Sequence, residues 1–134
     1  MVIYRNLSAY NGVPPTEGEA RKISGGPLYE LAKIKALAKQ GVLLVTKKCQ
    51  DNATRLGLEP ADVGQLIEKL SASDYRDSEW CETGKAWLGC DAYVLMQSEY
   101  NEAARKDYQH EYFLKFAIGK NGLVVMVISC HLSN

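Results

Sequence analysis

The sequence predicts an α+β fold, with N-terminal helices packed on an antiparallel β-meander that ends in a C-terminal hairpin. Three observations carry the prediction. Apolar residues recur at helical spacing between positions 28 and 70. The period changes in the second half, where runs of strand length follow one another. Asn121-Gly122 then lies between the two strongest of those runs, which is a hairpin signal. The 134 residues divide into an N-terminal arm (1–26) and a single domain (27–134). A chain of this length buries roughly two-thirds of its unfolded surface, so one core needs no metal or disulfide staple.

The arm is rich in breakers: Asn11-Gly12, Pro14-Pro15 and Gly25-Gly26-Pro27. Val2-Ile3-Tyr4 adds at most a short strand. From Leu28 to Gln40 the pattern is helical, with Leu31, Ile34, Leu37 and Ala38 on one stripe and Gly41 as the stop. Val42 to Val45 reads as a short buried strand. Thr46 is an N-cap for a second helix closed by Gly57, and Pro60 suits the first turn of a third. Val63, Leu66, Ile67 and Leu70 repeat at i, i+3, i+4 and i+7. Ser71 to Asp74 has the form of a capping box and starts a short helical turn. Cys90 to Met96 is strand-like, and the charged stretch Glu99 to Lys106 reads as a helical or irregular excursion. Glu111 to Ile118 and Leu123 to His131 are the hairpin strands.

Composition is that of a globular chain: 46% hydrophobic and 24% charged residues argue against disorder. Sixteen basic residues balance sixteen acidic ones, so nucleic-acid binding would need a local patch rather than a basic excess. No signal peptide and no apolar run of membrane length is visible, which points to a cytoplasmic protein with no membrane partner. Cys49, Cys81, Cys90 and Cys130 are then expected as reduced thiols. They lack metal-ligand spacing, and no P-loop, dinucleotide or zinc-protease motif occurs, so neither metal nor cofactor is expected.

The hairpin permits a geometric argument for chemistry. Side chains alternate faces along a strand. With an even loop, Tyr112, Leu114 and Phe116 share a face with Val125, Val127, Ser129 and His131. Tyr112, Ser129 and His131 then form a polar cluster at the open end of the hairpin, suited to acid–base catalysis. Histidine exchanges protons near neutrality, and His110 and His131, the only two, flank the hairpin. A Cys130–His131 dyad is excluded because adjacent strand residues point apart. Lys115, mid-strand between apolar neighbours, marks an open sheet face able to bind phosphate, and Arg76 and Lys85 are further candidates. An even loop in a flat sheet separates Lys115 from His131; an odd loop or a bulge would unite them.

The order of elements resembles the MqsR family of bacterial toxins, with their RelE-like core. The residues that carry this likeness are Leu31-x-x-Ile34-Lys35-x-Leu37, Gly41-Val42, Leu56-Gly57-Leu58, Leu70 to Tyr75, Asp91-Ala92-Tyr93 and Phe113-Leu114-Lys115-Phe116, within positions 28–131. The resemblance implies a metal-independent endoribonuclease, an mRNA interferase held inactive by a cognate antitoxin protein, with RNA as substrate. The family's lysine after Phe-Tyr corresponds to Asp77, beside Arg76. Its glutamine before Asp-x-Tyr corresponds to Cys90, its strand tyrosine to Phe113, beside Tyr112, and its terminal lysine to His131. The expected catalytic set is therefore His131, Tyr112, Tyr93 and Ser129, with Lys115, Arg76 and Lys85 on phosphate. The alternative is an inactive scaffold that binds a protein or nucleic-acid partner.

Overall fold

The computed structural model describes residues 5–84 and 86–133. The elements follow the chain as β1 (Arg5–Asn6), β2 (Lys22–Ile23), α1 (Leu31–Gln40), β3 (Val42–Leu44), α2 (Lys47–Arg55) and α3 (Pro60–Glu68). A 3-10 turn (Ala72–Asp74) leads into β4 (Tyr75–Thr83), β5 (Ala86–Asn101), β6 (Lys106–Ile118) and β7 (Val125–Leu132). The α+β class is as predicted. The strands form one sheet of order β2-β4-β5-β6-β7-β3, with β1 beside the start of β5. Neighbours are antiparallel except β1–β5 and β3–β7. Among the described residues no helix is long and apolar enough to cross a membrane.

The helix caps follow local chemistry. The Thr46 hydroxyl accepts from the Cys49 amide at 3.0 Å, the Asp62 carboxylate accepts from the Glu59 amide at 2.8 Å, and the Asp74 carboxylate accepts from the Ser71 amide at 2.8 Å. Ile34, Val63, Ile67 and Leu70 turn inward and pack with Leu114, Phe116, Val125, Val127 and Cys130 in one core. That core rests on one face of the sheet and drives its burial under the helices.

Four expectations change. Helix α1 begins at Leu31 rather than Leu28, because the Leu28 and Tyr29 amides donate to the Asp91 carboxylate on β5 instead of starting the helix. Strand β3 is an edge strand, and Leu43 on it is 52% exposed. The stretch Glu99 to Lys106 is no excursion: β5 and β6 pair through Asn101 and Lys106, forming a ribbon that outruns β4 and β7. Its turn uses Arg105 at φ 53° and the Asn101 side chain, which accepts from the Ala104 amide. Finally, β4 lay unrecognised, since its inward positions include Ser78 among charged neighbours. The proposed strand Val2-Ile3-Tyr4 lies outside the described residues.

The arm is docked along the sheet. The Leu7 amide donates to the Trp87 carbonyl, the Ala9 amide to the Ile118 carbonyl, and the buried Ser8 hydroxyl accepts from the Gly89 amide. Tyr10 lies where a Cβ on Gly89 would stand, 2.7 Å from its ring, so only glycine fits at that position of β5.

Candidate functional site

The site is set by a change of register inside the C-terminal hairpin. The Gly119 amide donates to the Val124 carbonyl, leaving a four-residue connection at 120–123 with Gly122 at φ 76°. Near this turn the even-loop rule holds: Ile118 faces Val125 and Phe116 faces Val127. Between Lys115 and Phe116 the register shifts, Ile128 being the extra residue of a bulge, and Lys115 then pairs with Ser129. Beyond it Leu114 pairs with Cys130, Phe113 with His131 and Tyr112 with Leu132. The bulge reverses the phase of β7, so Ser129 and His131 leave the helix-covered face and join Lys115 on the outer face.

This corrects the expected Tyr112–Ser129–His131 cluster. Tyr112 stays on the inner face, buried, and its hydroxyl donates to the Glu99 carboxylate at 2.7 Å. His110 Nε2 lies 3.6 Å from the other Glu99 oxygen. Burial, then the bond to Glu99, raises Tyr112 to about 12. Tyr93 is an inner-face core residue, stacked on Phe116 at 5.4 Å and edge-on to Tyr75 at 5.6 Å. Burial raises it to about 12 as well. Tyr93 also borders an open cleft of about 350 Å³ with Pro27, Leu28 and Ala72.

The outer face carries the remaining candidates. Pairing sets Lys22 beside Glu79 and Asp77 beside Ala92, then Ala92 beside Lys115 and Lys115 beside Ser129. Lys115 Nζ donates to Glu79 Oε1, while Lys22 Nζ sits 3.7 Å from Glu79 Oε2 and also bonds Asp77. Glu79 thus stands between two ammonium groups. Burial alone would lower the Lys115 ammonium, but the bond to Glu79 raises it overall, so Lys115 stays a cation. Phe113 lies between Lys115, whose Nζ is 5.5 Å from the ring centre, and His131, whose ring stacks on it at 5.1 Å and 19°. His131 Nδ1 is 3.0 Å from the Leu132 carbonyl, and Nε2 has no protein partner among the described residues.

Arg76 is the extra residue of a second irregularity, between Tyr75 and Asp77, and is exposed without an ion pair among the described residues. Lys85 lies outside the described residues. Glu79 was missed by sequence reasoning, because the strand that carries it was not recognised; no local motif marks it.

Two further carboxylates differ sharply in role. Asp91 is fully buried on the inner face and accepts from the Leu28 amide at 2.9 Å, the Tyr29 amide at 3.1 Å and the Ser78 hydroxyl at 2.6 Å. Ser78 in turn meets the Tyr75 hydroxyl at 2.7 Å. Burial raises the Asp91 carboxyl above its ordinary value despite these donors. Asp91 is therefore an anchor between the sheet and the segment that leads into α1, whereas Glu79 lies where solvent and a ligand can reach it.

No family model matches the chain, and no curated protein matches it either.

Proposed function

We propose that the chain is a divergent MqsR-like toxin, a metal-independent endoribonuclease with a RelE-like core, held in check in the cytoplasm by a cognate antitoxin. The observation that carries this reading is the bulge at Ile128, which gathers Lys115, Ser129 and His131 on one face of the sheet with Glu79. Transfer within RNA begins when a ribose 2′-hydroxyl attacks its own phosphate. The step needs a group to move the proton and a cation for the charge that builds on phosphorus. His131 Nε2 is free to move the proton. Lys115 supplies the cation, and Glu79 holds it in position until phosphate displaces the carboxylate. The Phe113–His131 stack offers a base a flat surface, and Arg76 adds charge at the rim. Tyr93 and Tyr112 support the sheet from its inner side.

A second reading, a non-catalytic binding module, draws on one observation: Lys115 is already neutralised by Glu79. One experiment separates the two. Purified protein is incubated with RNAs of mixed sequence in the presence of chelator. The toxin reading expects cleavage to 2′,3′-cyclic phosphate ends. His131→Ala should slow it by about 100-fold or more while melting stays unchanged. Intact RNA, together with normal growth on expression, would sink the enzyme and leave the module.

A further inference from the structure

The outer face holds two sulfurs that phosphate chemistry leaves unused. Strands β4 and β5 pair Cys81 with Leu88 and Glu79 with Cys90, so the two cysteines are diagonal neighbours on one face. Diagonal positions on antiparallel strands are near neighbours on one face, and the Cys90 thiol donates to the Leu88 carbonyl at 3.5 Å, Leu88 being the residue paired with Cys81. Cys81 is partly exposed and Cys90 is buried. The Lys115 ammonium acts on both sulfurs. The neighbouring Cys90 thiol, then the Lys115 and Arg21 cations, lower the Cys81 thiol against the effect of its burial. Burial first, and then the Cys81 interaction, push Cys90 well up. Of the two sulfurs, Cys81 is the easier to deprotonate and the more accessible, and Cys90 is the one that holds its proton.

Cys49 and Cys130 provide an internal contrast. They are buried beneath α2, where burial raises them to about 11 and about 12 with no cation to offset it.

We propose that Cys81 and Cys90 form a two-electron thiol site for small hydroperoxides, with Cys81 as the attacking sulfur and Cys90 as the resolving one. The Cys81 thiolate attacks the distal peroxide oxygen, the O–O bond breaks, and an alkoxide or hydroxide leaves and takes a proton from water. Cys81 is then a sulfenic acid. The Cys90 sulfur attacks the Cys81 sulfur, the S–O bond breaks, and the hydroxyl leaves as water with the Cys90 proton. The two thiols lose two electrons in total, and the peroxide gains them.

The full-length protein tests this directly. Limiting iodoacetamide near pH 7 should label Cys81 at least about tenfold faster than Cys49 or Cys130. One equivalent of hydrogen peroxide should remove two thiols per chain. Trypsin cuts after Arg76, Lys85 and Arg105, so the product should appear as peptide 77–85 linked to peptide 86–105. In Cys90→Ala, oxidation should stop at a Cys81 sulfenic acid trapped by dimedone. Lys115→Met should slow Cys81 alkylation about tenfold near pH 7 and move its pH midpoint upward. Four surviving thiols, a bridge between any other pair, or Cys81 labelling no faster than Cys49 would overturn the proposal, and the wild-type mapping needs no variant to fold.

Discussion

The two faces of the sheet are built from the same strands and do opposite work. On the inner face, Tyr93, Leu114, Phe116, Val125 and Val127 interlock with three helices, and the polar Asp91 is held by backbone and hydroxyl donors. On the outer face the small Ala92 lies between Asp77 and Lys115, and Glu79, Lys115, Phe113 and His131 touch in that order across it. The inner face gains its free energy from burial. The outer face brings charges and a proton carrier together at modest energetic cost, because each stays within reach of water. Stability and chemistry are thus separated by side-chain alternation, and substitutions on the two faces should separate in the same way.

The largest effect is expected when a chain that spans both concerns is cut. Phe116 is fully buried and stacked on Tyr93, so Phe116→Ala should lower unfolding free energy by about 3–5 kcal/mol. The same truncation one face away, Phe113→Ala, should cost only about 1 kcal/mol, because that ring is already partly exposed. Urea titrations of the two variants decide the matter, and equal losses would erase the distinction between the faces.

Asp91→Ala comes next, at about 2–4 kcal/mol, because it strands two amides and a hydroxyl in the interior. This residue also gives the inner face a pH dependence. Burial raises its carboxyl above the ordinary value of 3.8, so the folded chain keeps the proton to higher pH than the unfolded chain does. Linkage then makes its contribution to stability fall as pH rises from 3.8 through the raised midpoint, and stay level above it. Asp91→Asn should lack that decline, which denaturation midpoints between about pH 4 and pH 7 would show. A wild type that instead gains stability in the same window relative to Asp91→Asn would reverse the assignment.

The smallest effect is expected in the ribbon. Tyr112→Phe removes the bond to the exposed Glu99 and should cost about 1 kcal/mol, with amide exchange faster at residues 97–111 and unchanged near Phe116.

The helical half was legible in the sequence because its signals are local. Thr46, Pro60 and the Val63-Leu66-Ile67-Leu70 stripe each state their own role within a few residues. Asn121-Gly122 was legible for the same reason. Strand β4 was not, since its buried Ser78 has meaning only opposite Asp91, thirteen residues further along the chain and outside any local pattern. The site failed to read out for a different reason. Val124 to Ile128 is uniformly apolar, so alternation has no phase to display there, and the bulge within that run is silent. Everything C-terminal to it, including the face on which His131 emerges, depends on that unmarked residue.

The bulge also governs which changes of length related chains can absorb. Ile128 is surplus to the ladder, so a chain lacking it could pair Val127 with Phe116 and Ser129 with Lys115 in unbroken alternation, with His131 still outward. A chain that kept all its residues but straightened the strand would turn His131 into the core and send Cys130 out. In an alignment, a gap at position 128 would therefore leave the outer face intact, whereas a gap at Ser129 or Cys130 would keep His131 outward and change only the residue opposite Lys115 or Leu114.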